Sequence, residues 1–156
     1  MDAIPNQSSP RKRQENIEGG TLDMAQTKMT NGEITTKISR LPARETANAF
    51  IEILEAKAVK VFAVIDQAAE AGEVGLQLRD TILIIFGNPA AGTPVMQQIP
   101  LSALDLPLKV LVWDDGGETK VSYYSPSAIA QRYGLTQDLT ANLRAIDALT
   151  DALVSR

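Results

Sequence analysis

The stretch from Ile84 to Pro94, IIFGNPAAGTP, places glycine, asparagine and proline directly after an apolar run. Residues of these types in this order turn the chain sharply. They can also leave backbone amides free to hold an anion, as helix N-termini do. Gly87, Asn88, Pro89 and Thr93 are the candidate cradle. The glycine spacing is that of a phosphate-binding loop, but the lysine such a loop needs is absent, so the Walker reading fails. The competing reading is a plain strand-to-helix turn, with Thr93-Pro94 capping a helix that carries Val95, Met96 and Ile99.

Other residues could join this chemistry. Asp66 ends the apolar run KVFAVID and is either a helix cap or a strand-end carboxylate, with Gln67 beside it. Lys109 is a lone cation inside LPLKVLVW; it is an anion partner, a proton-transfer amine, or a snorkelling residue that blunts a sheet edge. Of Tyr123 and Tyr124, which point to opposite faces, Tyr124 is the surface candidate.

The 156 residues include no cysteine and no histidine. Disulfides, thiolate nucleophiles, Ser-His-Asp catalysis and the usual transition-metal ligands are therefore excluded, and only a hard cation among carboxylates would remain. No metal site is assigned and the cofactor is unknown. The net charge of -4 argues against broad phosphate-backbone binding, so nucleic acid is not the expected partner. There is no membrane-length apolar run and no signal-peptide pattern, so the expected location is the cytoplasm.

Positioning these residues requires one domain and a tail. Residues 1–31 are polar, include the Arg11-Lys12-Arg13 cluster, and lack apolar periodicity; they read as a disordered tail before a domain at 32–156. Met24 and Met29 are alternative starts. A strand at about Glu33 to Ile38 is followed by a helix that Ser39 caps and Pro42 opens. Ala47, Phe50, Ile51, Leu54 and Ala58 form its apolar stripe. KVFAVID and DTILIIFG are strands, with a short helical turn between them that Gly72 ends. LPLKVLVW and KVSYYS form a hairpin whose turn centres on Asp115-Gly116, setting Val112 opposite Thr119 and Val110 opposite Val121. Ser125 and Pro126 start a short helix ending near Gly134, and a final helix runs from about Gln137 to Val154. The order predicts an α+β fold: a mainly antiparallel, four- to five-stranded sheet with helices on one face.

The strands at 61–65 and 81–86 are apolar on both faces, Ile82, Ile84 and Phe86 on one and Leu83 and Ile85 on the other. Such strands want cover on both sides, and the two long helices can supply only one. The uncovered face is expected to bind a second copy of the chain, an isologous homodimer, or to border a ligand.

VFAVIDQAAEAGEVGLQLRDTILIIFGNPAAGTPVMQ, then LDLPLKVLVWDD and YYSPSAIAQRYGL, resemble the DUF302 (TT1751-like) family from about Glu33 onward. The resemblance implies an antiparallel sheet with helices on one side, similar to the TATA-binding-protein-like architecture, and a homodimer. It implies no established activity, and the likeness to a DNA-binding fold says nothing about function. Family members tend to carry histidine where this chain has Gln67 and Tyr133, and proline where it has Asp80. The expectation is a dimeric small-molecule or anion-binding module whose site comprises Asp66, Gln67, Gly87, Asn88, Pro89, Thr93 and Lys109. The alternatives are an enzyme using Asp66 or Lys109 in proton transfer, and an interaction module using the apolar sheet face.

Overall fold

In the computed structural model, which describes residues 28–30 and 32–156, every strand pairs antiparallel. The strands are β1 (Lys28–Thr30), β2 (Ile34–Ser39), β3 (Lys60–Asp66), β4 (Thr81–Gly87), β5 (Leu108–Asp115) and β6 (Glu118–Tyr124), in the order β1-β2-β6-β5-β4-β3. The helices are α1 (Ala43–Ala56), α2 (Gln67–Glu73), α3 (Pro89–Gln98), α4 (Pro126–Tyr133), α5 (Gln137–Ala141) and α6 (Ala145–Val154). β1 lies within the segment read as tail; the basic cluster at 11–13 and Met24 lie outside the described residues.

Alternation along the strands separates two faces. Ile82, Ile84 and Phe86 of β4, Leu108, Val110 and Val112 of β5, and Val121 and Tyr123 of β6 are buried against α1 and α6. Phe50 of α1 meets Phe86 edge-on, with ring centroids 5.2 Å apart. The other face carries Ile34, Ile38, Leu83, Ile85, Leu111 and Trp113, all only half-buried. The helices thus cover one side of the sheet, as the sequence predicted.

Local details depart from the reading. The hairpin turns at Gly116-Gly117, whose φ angles of 66° and 100° suit a two-residue turn. Val112 therefore opposes Val121, two residues from the predicted register; the even shift keeps each side chain on its predicted face. β3 is an edge strand, beside β4. A bulge between Val61 and Ala63 puts Val61 opposite Phe86 and Ala63 opposite Ile85, which breaks the simple alternation of faces along β3. Ser39 does not cap α1: its hydroxyl bonds that of Thr46 at 2.8 Å. Ala58 falls beyond α1, with φ 55°. α2 runs on past Gly72 to Glu73, and Gly75, with φ 78°, turns the chain after it.

The predicted last helix is broken at Asn142–Arg144 into α5 and α6, although Leu139, Leu143, Ile146, Leu149 and Leu153 are all buried as expected. α4 follows the sequence closely: the Ser125 hydroxyl accepts from Ala128 N at 3.1 Å, and Gly134 closes the helix in a left-handed conformation.

β2 inverts the usual polarity. Thr35, Lys37 and Ser39 point into the helical layer, while Ile34 and Ile38 face the open side. Lys37 is wholly buried and donates to Thr150 Oγ1 (2.7 Å), Asp151 Oδ1 (2.6 Å) and the Asp147 carbonyl (3.1 Å), with its ammonium 5.4 Å from the Tyr123 ring centre. Tyr123 in turn donates to Asp147 Oδ1 at 2.6 Å.

Candidate functional site

β4 ends at Gly87, and the chain enters α3 through Asn88 and Pro89. Gly87 has no positive φ, so it is not required for an unusual backbone angle. A Cβ there would make only ordinary contacts, 3.6 Å from Pro107 Cβ and 3.9 Å from Phe62 Cε2. Asn88 caps α3, its side-chain oxygen accepting from Ala90 N at 2.9 Å. Pro89 occupies the first helical position, where a missing N–H costs nothing. The helix therefore begins before Thr93-Pro94, which lie inside it and do not cap it.

Beside this turn lies a cavity of about 270 Å³. Gly87, Asn88, Pro89, Gly92, Thr93 and Met96 form one wall. Phe62 and the segment Leu106-Pro107-Leu108 form the second, and Asn142 and Leu143, at the break between α5 and α6, form the third. Asn142 Nδ2 donates to the Ala91 carbonyl at 3.1 Å, tying that break to α3. The walls are nearly all apolar. The amides of the turn are already engaged: Ala90 N with the Asn88 side chain, and Ala91 N (2.9 Å) and Gly92 N (3.0 Å) with the Asn88 carbonyl.

Of the seven site residues expected from the sequence, Gly87, Asn88, Pro89 and Thr93 line this cavity. Asp66 and Gln67 do not: Asp66 pairs with Ile82, about 17 Å along β4 from Gly87. Asp66 is a helix cap, accepting from Ala69 N at 2.9 Å, and it binds Arg44 Nη1 at 2.6 Å. That arginine bond and the α2 amide hold its carboxyl below the usual range. Lys109 pairs with Ile85 on the open face of the sheet, outside the cavity lining. Tyr133 donates to Asp105 Oδ2 at 2.5 Å, and Arg132 binds the same oxygen at 2.7 Å. Burial pushes the Asp105 carboxyl up, but the bonds from Tyr133 and Arg132 outweigh it and leave the group below its ordinary value.

Phe62, Met96, Pro107 and Asn142 were not singled out by sequence reasoning. Phe62 sits at the β3 bulge, and Asn142 interrupts what reads as a continuous apolar stripe; neither had a local signal. Leu-Pro-Leu before β5 could have been found, because proline beside a strand marks its entry.

A family model described as "Domain of unknown function DUF302" matches residues 34–153. The chain belongs to the DUF302 family. The solved structure of an uncharacterized conserved DUF302 protein from Bacillus stearothermophilus superposes with a TM-score of 0.66 at 20% identity, covering 78% of this chain and 95% of that one. That likeness shows that the DUF302 fold is shared. The chain is also 38% identical over 109 residues to fluoride-specific ion channel FluC 1 of Brucella suis biovar 1 (strain 1330), covering 68% of this chain and 43% of that protein. FluC 1 of Brucella abortus biovar 1 (strain 9-941) matches at the same identity, with 40% of its length covered. The chain thus spans about two fifths of the length of the curated relatives it matches. Among the described residues no helix is long and apolar enough to cross a membrane.

Proposed function

We propose that this DUF302 domain binds a small, largely apolar molecule in the cavity at the end of β4, and does so as a homodimer whose subunits meet through the open sheet face. The cavity carries the first part. Apolar walls with a few convergent polar groups are the usual form of a small-molecule site, and a volume near the low end of that class suits a small ligand. The sequence alone leaves a small molecule and an anion both open. The filled amides of the Asn88 turn and the absence of any cationic lining residue favour a neutral ligand. Polar groups that can orient it include the Thr93 hydroxyl, the Asn142 side-chain oxygen and the Asn88 side-chain nitrogen.

The second part rests on Ile34, Ile38, Leu83, Ile85, Leu111 and Trp113, which share one half-exposed face. These apolar residues share the face with Lys109, Lys120 and Ser122; such a half-exposed, partly apolar face is a recognition surface, and a second copy covers it symmetrically. Proton transfer by Asp66 or Lys109 draws no support from the cavity, since neither residue lines it. Strand spacing sets them roughly 14 Å apart. The channel name stays with the Brucella proteins, since this chain matches under half of their length and none of its described helices could cross a membrane. A cytoplasmic setting fits a chain without cysteine.

Native mass spectrometry of the full chain taken directly from cells tests both parts. The expected spectrum is a dimer carrying a small neutral adduct that collisional activation removes. A bare monomer that also fails to bind small apolar probes rejects the proposal.

A further inference from the structure

A second cavity, also about 270 Å³, adjoins the α5–α6 break, and its lining is far more polar than that of the first. It is lined by four hydroxyl residues, Thr35, Ser125, Ser127 and Thr140, and by Arg144 and Asp147. Thr35 lies on the helix-covered face of β2 and is only 2% exposed, yet its hydroxyl has no hydrogen-bond partner among the described residues. No fully buried side-chain nitrogen or oxygen is left unpaired among those residues, so this hydroxyl meets solvent through the cavity it lines. A polar group buried to this degree in an ordinary core would be bonded.

Two charges border the same cavity. Arg144, which is exposed, occupies the N-cap position of α6, and Asp147 stands three residues on, a spacing at which opposite charges can meet. They form no ion pair, and Arg144 has no ionic partner among the described residues. Asp147 is held in place from below. Its Oδ1 accepts the Tyr123 hydroxyl at 2.6 Å and its carbonyl accepts the Lys37 ammonium at 3.1 Å, which leaves Oδ2 for the cavity. Ser125 is fixed as the α4 cap and shares a 3.1 Å hydrogen bond with Ser127.

We infer that this cavity binds a small zwitterion of the free amino-acid type, its carboxylate on Arg144 and the hydroxyls of Thr35 and Ser127, its ammonium on Asp147 Oδ2. A guanidinium and a carboxylate that face one cavity without touching each other are matched by a ligand bearing both opposite charges. The inference is independent of the apolar cavity, since the two share no lining residue.

Isothermal titration of the full chain with the free L-amino acids tests it, with propionate and propylamine as ligands that carry one charge each. At least one amino acid saturates the protein, and propionate and propylamine bind at least tenfold more weakly. Thr35→Val and Arg144→Gln each weaken that amino acid at least tenfold without lowering the melting temperature, whereas Gly92→Leu, in the other cavity, leaves it unchanged. The inference is overturned if no amino acid saturates at 10 mM. It is equally overturned if propionate binds as well as the zwitterion, or if Arg144→Gln binds like the wild type.

Discussion

The Lys37 ammonium lies 2.6 Å from Asp151 Oδ1 while the lysine side chain is completely shut off from water. Removing one partner of such a pair strands the groups that remain. Lys37→Ala should lose about 3–5 kcal/mol in urea unfolding, from the empty space and the broken contacts together. Lys37→Met should lose far less: it fills the volume, Thr150 keeps its 2.7 Å bond to the Ile146 carbonyl, and Asp151 is 43% exposed and can turn to water. Equal losses for the two variants would mean that the charge itself, and not its volume, holds β2 to α6.

Stability should be flat across neutral pH and fall at both ends. With no histidine, no side chain of ordinary pKa titrates between about pH 5 and pH 9. Asp66 and Asp105 have folded pKa values below their unfolded ones; the stability they add is present above about pH 4 and lost as the pH falls through the folded values. Tyr123 goes the other way. Burial, then its bond to Asp147, raises it, so its contribution is present below about pH 10 and lost as the pH rises further. Thermal melts from pH 2 to 12 check this, and Tyr123→Phe should delay the alkaline loss.

Asn88 separates a cap from a cradle. Asn88→Ala should lower stability by about 1 kcal/mol, with Asn88→Asp recovering most of it, because either side chain can accept from Ala90 N. Binding to the apolar cavity should change little beyond that. A variant that melts normally but no longer binds would return the turn to the role its sequence first suggested.

Leu111 sits on the open face between Leu83 of β4 and Ser122 of β6. Leu111→Lys puts a charge in the middle of the proposed dimer contact without entering the core. Light scattering should show the wild type as a dimer and the variant as a monomer, with melting of the isolated subunit little changed. Two dimeric proteins would remove the sheet face from the interface.

What the sequence made legible follows from how local each signal is. The two faces of β4 could be read directly from TILIIFG, and the start and end of α4 from Ser125-Pro126 and Gly134, because alternation and capping involve near neighbours only. The inward turn of Lys37 could not be read, because Ile34 and Ile38 predict the opposite face; the partners that satisfy the lysine lie more than a hundred residues away on α6. The cavity was half legible. The Gly87–Thr93 wall is continuous in sequence, whereas Phe62, Pro107 and Asn142 reach it from three separate elements. Asp66 and Lys109 were grouped with that wall because each ends or interrupts an apolar strand, and only the antiparallel order of β3, β4 and β5 shows how far apart they stand.

The central claim is that the cavity beside Gly92 holds a small apolar molecule. Gly92 offers a direct test: it lies within α3, has an ordinary φ, and a Cβ there would meet only Met96 Cε, at 3.9 Å. Gly92→Leu should fill the cavity and leave the helix at least as stable. The measurement is titration of wild type and Gly92→Leu with a small apolar fluorescent probe such as 1-aminoanthracene. The account predicts saturable binding to the wild type, weakened at least tenfold in a variant whose melting temperature is unchanged or higher. Equal binding by both proteins, or none by either, would contradict it.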